Sequence, residues 1–131
     1  MAPTRAVVLC AGQGTRLRPL TNTVPKCMVK FQGHCIIDYI LGSLRACGVD
    51  DICLVKGYLA DVLMRDGVRY AVNSDFEKTN MVATLFCAEH ELEHDGDVIV
   101  SYSDIIYVPT VVNSLLASEA DISVVVDKDW L

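Results

Sequence analysis

The chain has 131 residues, enough for one domain with a substantial core, and 52% hydrophobic with 21% charged residues is the balance of a buried-sheet α/β protein, not of a disordered one. A formal net charge of −6 argues against a nucleic-acid partner, because binding a phosphate backbone needs a basic surface. No signal-peptide pattern and no apolar run of roughly eighteen residues is present, so the expectation is a soluble, cytoplasmic chain without a membrane partner.

In chain order, Arg5 to Leu9 is unbroken apolar after its first residue and predicts a central strand. The segment that follows, Leu9-Cys10-Ala11-Gly12-Gln13-Gly14-Thr15-Arg16-Leu17-Arg18-Pro19-Leu20-Thr21, then Pro25-Lys26, falls where such a strand ends, the ligand-binding edge of an α/β sheet. Small residues there let backbone N–H groups approach an anion. Arg16 offers a fork for phosphate oxygens, and Lys26 a compact charge delivered by the rigid Pro25. The first 37 residues carry five basic and no acidic side chains, whereas the other 94 carry six basic and seventeen acidic ones. A local cationic patch on an acidic protein suits a small polyanion such as a nucleoside triphosphate.

This segment resembles the signature of the nucleotidylyltransferases that activate sugar-1-phosphates, choline phosphate and aminoethylphosphonate. Their pattern runs small-Gly-x-Gly-[Ser/Thr]-Arg-[Leu/Met]-x-Pro-[Leu/Met]-Thr, a few residues, then Pro-Lys, and every fixed position is filled from Ala11 to Lys26. A dinucleotide-binding Rossmann turn would want Gly or Ala where Leu17 stands and an uninterrupted helix where Pro19 and Pro25 occur. A P-loop is excluded, since no Gly-Lys-[Ser/Thr] occurs. A glycine turn used for geometry alone is the remaining plain reading. The resemblance implies a Rossmann-like three-layer α/β sandwich with a mostly parallel sheet, of the nucleotide-diphospho-sugar transferase type. It further implies that residues 1–131 form the nucleotide-binding part of a truncated nucleotidyltransferase domain, the acceptor-binding strands and a second magnesium-binding Asp lying beyond it. Leu9, Ala11, Gly12, Gly14, Thr15 and Arg16 are then expected to contact the nucleotide, and Arg16 and Lys26 to act in catalysis.

Met28 to Phe31 reads as a short extended piece closed by a turn at Gln32-Gly33. Ile36, Ile37, Ile40, Leu41, Leu44 and Cys47 recur at helical spacing up to a stop at Gly48. Ile52 to Val55 predicts the next strand, Gly57-Tyr58 leads into a helix of about two turns over 59–65, and the alternating 68–72 reads as a strand nearer an edge. After the polar loop 73–80, one helix is expected over 81–93, with Thr79 or Asn80 as its cap. By the resemblance, this loop closes over the base, and Asn73, Thr79 and Asn80 contact base or ribose; Asn80 as a cap alone is the plainer reading.

Val98 to Tyr102 predicts a further buried strand, which sets Ser103-Asp104 at the same sheet edge as the signature. The resemblance makes Asp104 the ligand of a catalytic Mg²⁺, an ion that typically takes one or two carboxylates plus phosphate oxygens and water. A helix is expected over 109–118 and a strand over 122–126. Thr79-Asn80-Met81, Ser103 to Tyr107 and Val126 to Trp130 resemble the choline-phosphate and aminoethylphosphonate branch, which implies CTP as donor and a small phosphorylated aminoalcohol or phosphonate as acceptor. Trp130 is read either as the face for its cationic head group or as packing. A sugar-1-phosphate acceptor and a nucleotide-binding module without turnover are the alternatives, and a homo-oligomer stays open.

Six cysteines without a Cys-x-x-Cys pair read as reduced core residues. His90-Glu91-Leu92-Glu93-His94 matches the His-Glu-x-x-His zinc pattern, but it falls in a last helical turn before Asp95-Gly96, where a polar, solvated face accounts for it.

Overall fold

Ala6 to Cys10 are all buried, as a strand covered on both faces requires. In the computed structural model, which describes residues 2–129, β1 (Arg5–Cys10) pairs in parallel with β4 (Asp51–Lys56) on one side and β6 (Val98–Tyr102) on the other. β5 (Arg69–Val72) joins the outer side of β4, giving the order β5-β4-β1-β6. A separate antiparallel hairpin, β2 (Lys30–Phe31) and β3 (His34–Cys35), leads into α1 (Ile36–Ala46).

Strand alternation divides the core. Ala6, Val8 and Cys10 of β1 and Ile52 and Leu54 of β4 face α1 and α4 (Pro109–Leu116), whose Ile37, Ile40, Leu44 and Val112 close that layer. Val7, Leu9, Cys53 and Val55 face the other way, onto α2 (Met81–Phe86), α3 (Glu89–Leu92) and Ala88 between them. Each fully buried aliphatic side chain contributes on the order of 1.5–3 kcal/mol. The result is the three-layer, parallel-sheet α/β sandwich expected from the sequence.

The chain moves outward from β1 to β4 and β5, then crosses back over β1 to β6. Such a reversal opens a crevice at the carboxyl ends of the two strands that flank it, the position where open α/β sheets hold ligands. Ser103 Oγ donates to the Leu9 carbonyl and ties those two strand ends together. At the opposite edge, Arg5 and Arg69 from two strand starts meet Asp51 and the buried Glu91, with Arg69 Nη2 2.6 Å from Asp51 Oδ1 and 2.7 Å from Glu91 Oε2.

Several expected elements differ. The two-turn helix over 59–65 is a single 3-10 turn, Ala60–Val62, because the Lys56 ammonium takes the Ala60 and Leu63 carbonyls and Leu59 is left-handed. The helix over 81–93 breaks at Ala88, which is buried on the sheet with non-helical backbone (φ −112°, ψ 31°); the break turns Glu91 inward to the arginines instead of leaving it on a solvated face. Met28 belongs to a 3-10 turn, Lys26–Met28, and α4 ends at Leu116 rather than at residue 118. β6 is an edge strand among the described residues, with Val100 and Tyr102 half exposed. Residues 122–126 form no strand: among the described residues they have no pairing partner, and Ile122 is 86% exposed. Among the described residues, no helix is long and apolar enough to cross a membrane.

Candidate functional site

The signature loop folds back on itself after β1. Gly14 takes φ +64°, and a Cβ there would sit 2.9 Å from Thr21 Cγ2 and 3.0 Å from Lys26 Cβ, so glycine is required both for backbone and for space. Thr21, fully buried, locks the fold-back by donating its hydroxyl to the Gly14 carbonyl at 2.8 Å. Thr15 and Arg16 then stand exposed on the 3-10 turn Thr15–Leu17. The buried Pro25 starts the turn that carries Lys26.

Lys26 and Asp104 meet. The ammonium is 3.0 Å from Asp104 Oδ2, joining the end of the signature loop to the loop after β6 across the crevice. A cation and a carboxylate from two separate loops are thereby held side by side, and both keep about a third of their side-chain surface in solvent.

The loop after β5 forms the other wall. Asn73, buried, uses both amide hydrogens on Thr79 Oγ1 (2.9 Å) and Thr84 Oγ1 (3.0 Å), while its oxygen accepts from the Asp75 amide. It shapes the loop from inside. Asn80 caps α2 by accepting from the Ala83 amide at 3.1 Å. Between the two walls lies a cavity of about 170 Å³, with Ala11 and Gly12 on one side and Phe76, Thr79, Asn80, Met81 and Thr84 on the other. Gln13 Nε2 also donates to Glu77 Oε1 at 3.3 Å, a further link between the two loops.

Of the residues expected at the nucleotide, Ala11, Gly12, Thr79 and Asn80 share this cavity; Gly14, Thr15 and Arg16 form the adjoining turn, and Leu9 and Asn73 hold its walls from within. Trp130 lies outside the described residues. Reading the sequence alone missed Gly57, Tyr58 and Phe76 as parts of the site. A Cβ on Gly57 would come within 2.7 Å of Ala11 Cβ and 3.0 Å of Phe76 Cβ, so the two walls touch there. Tyr58 gives its amide to the Ala11 carbonyl (3.1 Å) and its hydroxyl to the Thr21 carbonyl (2.7 Å), and its ring meets Phe76 edge-on at 5.9 Å. The Gly-Tyr pair directly after an apolar strand was the available signal.

Asp104 fits a magnesium role by the chemistry of its donor: one accessible carboxylate at the carboxyl edge suits an ion that keeps waters and draws its other oxygens from a substrate's phosphates. A protein cage is absent, since no group of three His, Cys, Asp or Glu side chains able to hold a metal occurs among the described residues. The His90 to His94 pattern builds no zinc site either. Glu91 is committed to Arg5 and Arg69, and His94 Nε2 lies 2.7 Å from the Pro3 carbonyl. All six cysteines are free; Cys10, Cys27 and Cys53 are buried and Cys87 is exposed.

A family model for the MobA-like NTP transferase domain matches residues 6–130. CTP:phosphoglutamine cytidylyltransferase of Campylobacter jejuni is 42% identical over 134 aligned positions, covering 95% of this chain and 53% of that protein. Choline-phosphate cytidylyltransferase of Streptococcus pneumoniae is 34% identical over 92 positions, 67% of this chain and 40% of that protein. Among solved structures, the CTP:phosphocholine cytidylyltransferase from Streptococcus pneumoniae superposes with a TM-score of 0.69 at 32% identity, over 77% of this chain and 45% of that one. The inositol-1-phosphate CTP transferase from T. maritima gives 0.72 at 27% identity, over 89% and 49%. The chain spans about half the length of the relatives it matches.

Proposed function

The chain belongs to the MobA-like NTP transferase domain family, and from that premise we propose that it binds CTP at the signature loop and serves the transfer of CMP to a small phosphate or phosphonate acceptor. The observation that carries this reading is the Lys26–Asp104 pair set across the crevice beside the glycine turn and the 170 Å³ cavity. The cavity receives the base, between Ala11-Gly12 and Thr79-Asn80, and the phosphates extend over the turn at Gly14 to Arg16.

In the reaction, an acceptor oxygen attacks the α-phosphorus in line and pyrophosphate leaves, so one P–O bond forms as one breaks, with no covalent enzyme intermediate. The protein's work is positioning and charge stabilisation. Arg16 holds the triphosphate through its planar fork. Lys26 exchanges Asp104 for phosphate oxygens and stabilises the charge that crowds the α-phosphorus. Asp104 is the residue that would hold Mg²⁺. That ion, when bound, supplies further neutralisation of phosphate charge. The cytidylyltransferase names of the relatives on phosphoglutamine and choline phosphate support a phosphorylated, nitrogen-bearing acceptor.

The test is pyrophosphate release measured with each nucleoside triphosphate against phosphocholine, aminoethylphosphonate, phosphoglutamine and hexose-1-phosphates. CTP with one of the first three is expected to lead. A lead by UTP or dTTP with a hexose-1-phosphate would replace this reading by the sugar-nucleotide one. Binding of CTP without release for any acceptor would reduce this chain to a nucleotide-binding module.

A further inference from the structure

Lys56 is 7% exposed, and its ammonium makes no ion pair with a carboxylate among the described residues. Its neighbours are neutral: the Ala60 carbonyl at 3.2 Å, the Leu63 carbonyl at 2.9 Å, the Met64 sulfur at 3.5 Å and the Tyr70 ring, whose centroid is 3.8 Å away. A buried cation without a counter-charge is costly, and methionine would fill the same space without that cost. What the charge does is visible in the backbone it holds. The Ala60 and Leu63 carbonyls belong to the loop that follows Tyr58, and Leu59 in that loop is left-handed (φ 49°, ψ 44°), a conformation disfavoured for any residue with a Cβ. Beside the lysine, the Tyr70 hydroxyl pins the far end of the same loop through the Arg65 amide and carbonyl.

We infer that Lys56 is a positioning residue: it anchors the strained 57–65 loop to the sheet so that Tyr58 braces the signature loop at both Ala11 and Thr21. This rests on the nucleotide reading for its consequence but not for its geometry. Tyr58 grips the two arms of the signature loop and touches Phe76 of the opposite wall, so loosening its loop loosens the cavity on both sides. The charge matters because only an ammonium in this space donates to several carbonyls at once.

The test compares the full chain with Lys56→Met and Tyr58→Phe by amide hydrogen exchange and by calorimetric titration with CTP and Mg²⁺. Lys56→Met is expected to speed exchange of the Tyr58 amide about tenfold or more while the amides of β1 and β4 exchange as before, and to weaken CTP by about 5- to 30-fold. Because both residues act through one brace, the double variant should weaken CTP by less than the product of the single effects. Should Lys56→Met not fold, Lys56→Gln, uncharged and with its amide nitrogen one bond short of where the ammonium meets the Ala60 and Leu63 carbonyls, takes its place with the same readouts. Unchanged Tyr58 exchange and unchanged affinity would overturn the inference. A wild-type chain that binds no nucleotide, yet shows faster Tyr58 exchange on losing Lys56, would support the brace and defeat the nucleotide reading instead.

Discussion

Lys26 Nζ stands 3.0 Å from Asp104 Oδ2, joining two loops whose residues are 78 positions apart. Both side chains are partly in solvent, so the pair adds only about 0–1 kcal/mol to stability. Lys26→Ala should leave the melting temperature within a few degrees and lower turnover about 10²–10³-fold, the usual effect of losing one electrostatic donor at a reacting phosphate. Melting and turnover measured side by side check this; full turnover would remove Lys26 from the reaction.

Gly12 and Gly14 are predicted to fail differently. Nothing lies within 4 Å of a Cβ on Gly12, whereas one on Gly14 meets Thr21 and Lys26 and sits on left-handed backbone. Gly14→Ala should therefore cost at least about 1–2 kcal/mol of unfolding free energy. Gly12→Ala should keep its stability and, because Gly12 lines the 170 Å³ cavity, weaken CTP. Urea denaturation paired with nucleotide titration separates the two, and equal stability losses would contradict the geometry.

Stability should fall in acid through the cluster at the other sheet edge. The Arg69 hydrogen bonds hold the Glu91 carboxyl below its ordinary value, against the opposing effect of burial. Burial pushes Asp51 upward, but Arg69 and Arg5 outweigh it, so it too lies below its usual value. A carboxylate depressed in the folded state contributes fully above its unfolded pKa, about 4, and loses that contribution as pH falls through the lower folded value. Arg69→Met should lower stability at pH 7 by about 1–3 kcal/mol and flatten the decline below pH 4. Urea midpoints from pH 7 to 3 test this; parallel curves for wild type and variant would count against it.

Thiol labelling should follow burial. Cys87 is exposed, whereas burial pushes Cys53 up to about 11, and the hydrogen bond with Cys27 together with burial raises Cys10 well above its ordinary value. Iodoacetamide at pH 8, read by peptide mass, should modify Cys87 first and leave Cys10 and Cys53 untouched until urea unfolds the chain.

What was legible in the sequence was what short-range chemistry determines. The apolar period of 36–44 predicted α1, the run before the glycines predicted β1, and the Gly-x-Gly to Pro-Lys spacing marked a turn whose demands are met within one loop. What escaped depends on partners far along the chain. Local pattern could not show that Lys56 would strip the 59–65 stretch of the carbonyls a helix needs, or that Arg5 and Arg69 would draw Glu91 inward and break 81–93 in two. Lys26 and Asp104 were each singled out, but their contact with one another depends on the fold. Ile122 to Val126 has the composition of a strand, and composition supplies no neighbour to pair with.

Calorimetric titration of the chain with CTP in millimolar Mg²⁺ tests the central claim most directly. One saturable site is expected, weakened in Gly12→Ala and when Arg16 is replaced by alanine. No heat with CTP or any other nucleoside triphosphate would contradict the account.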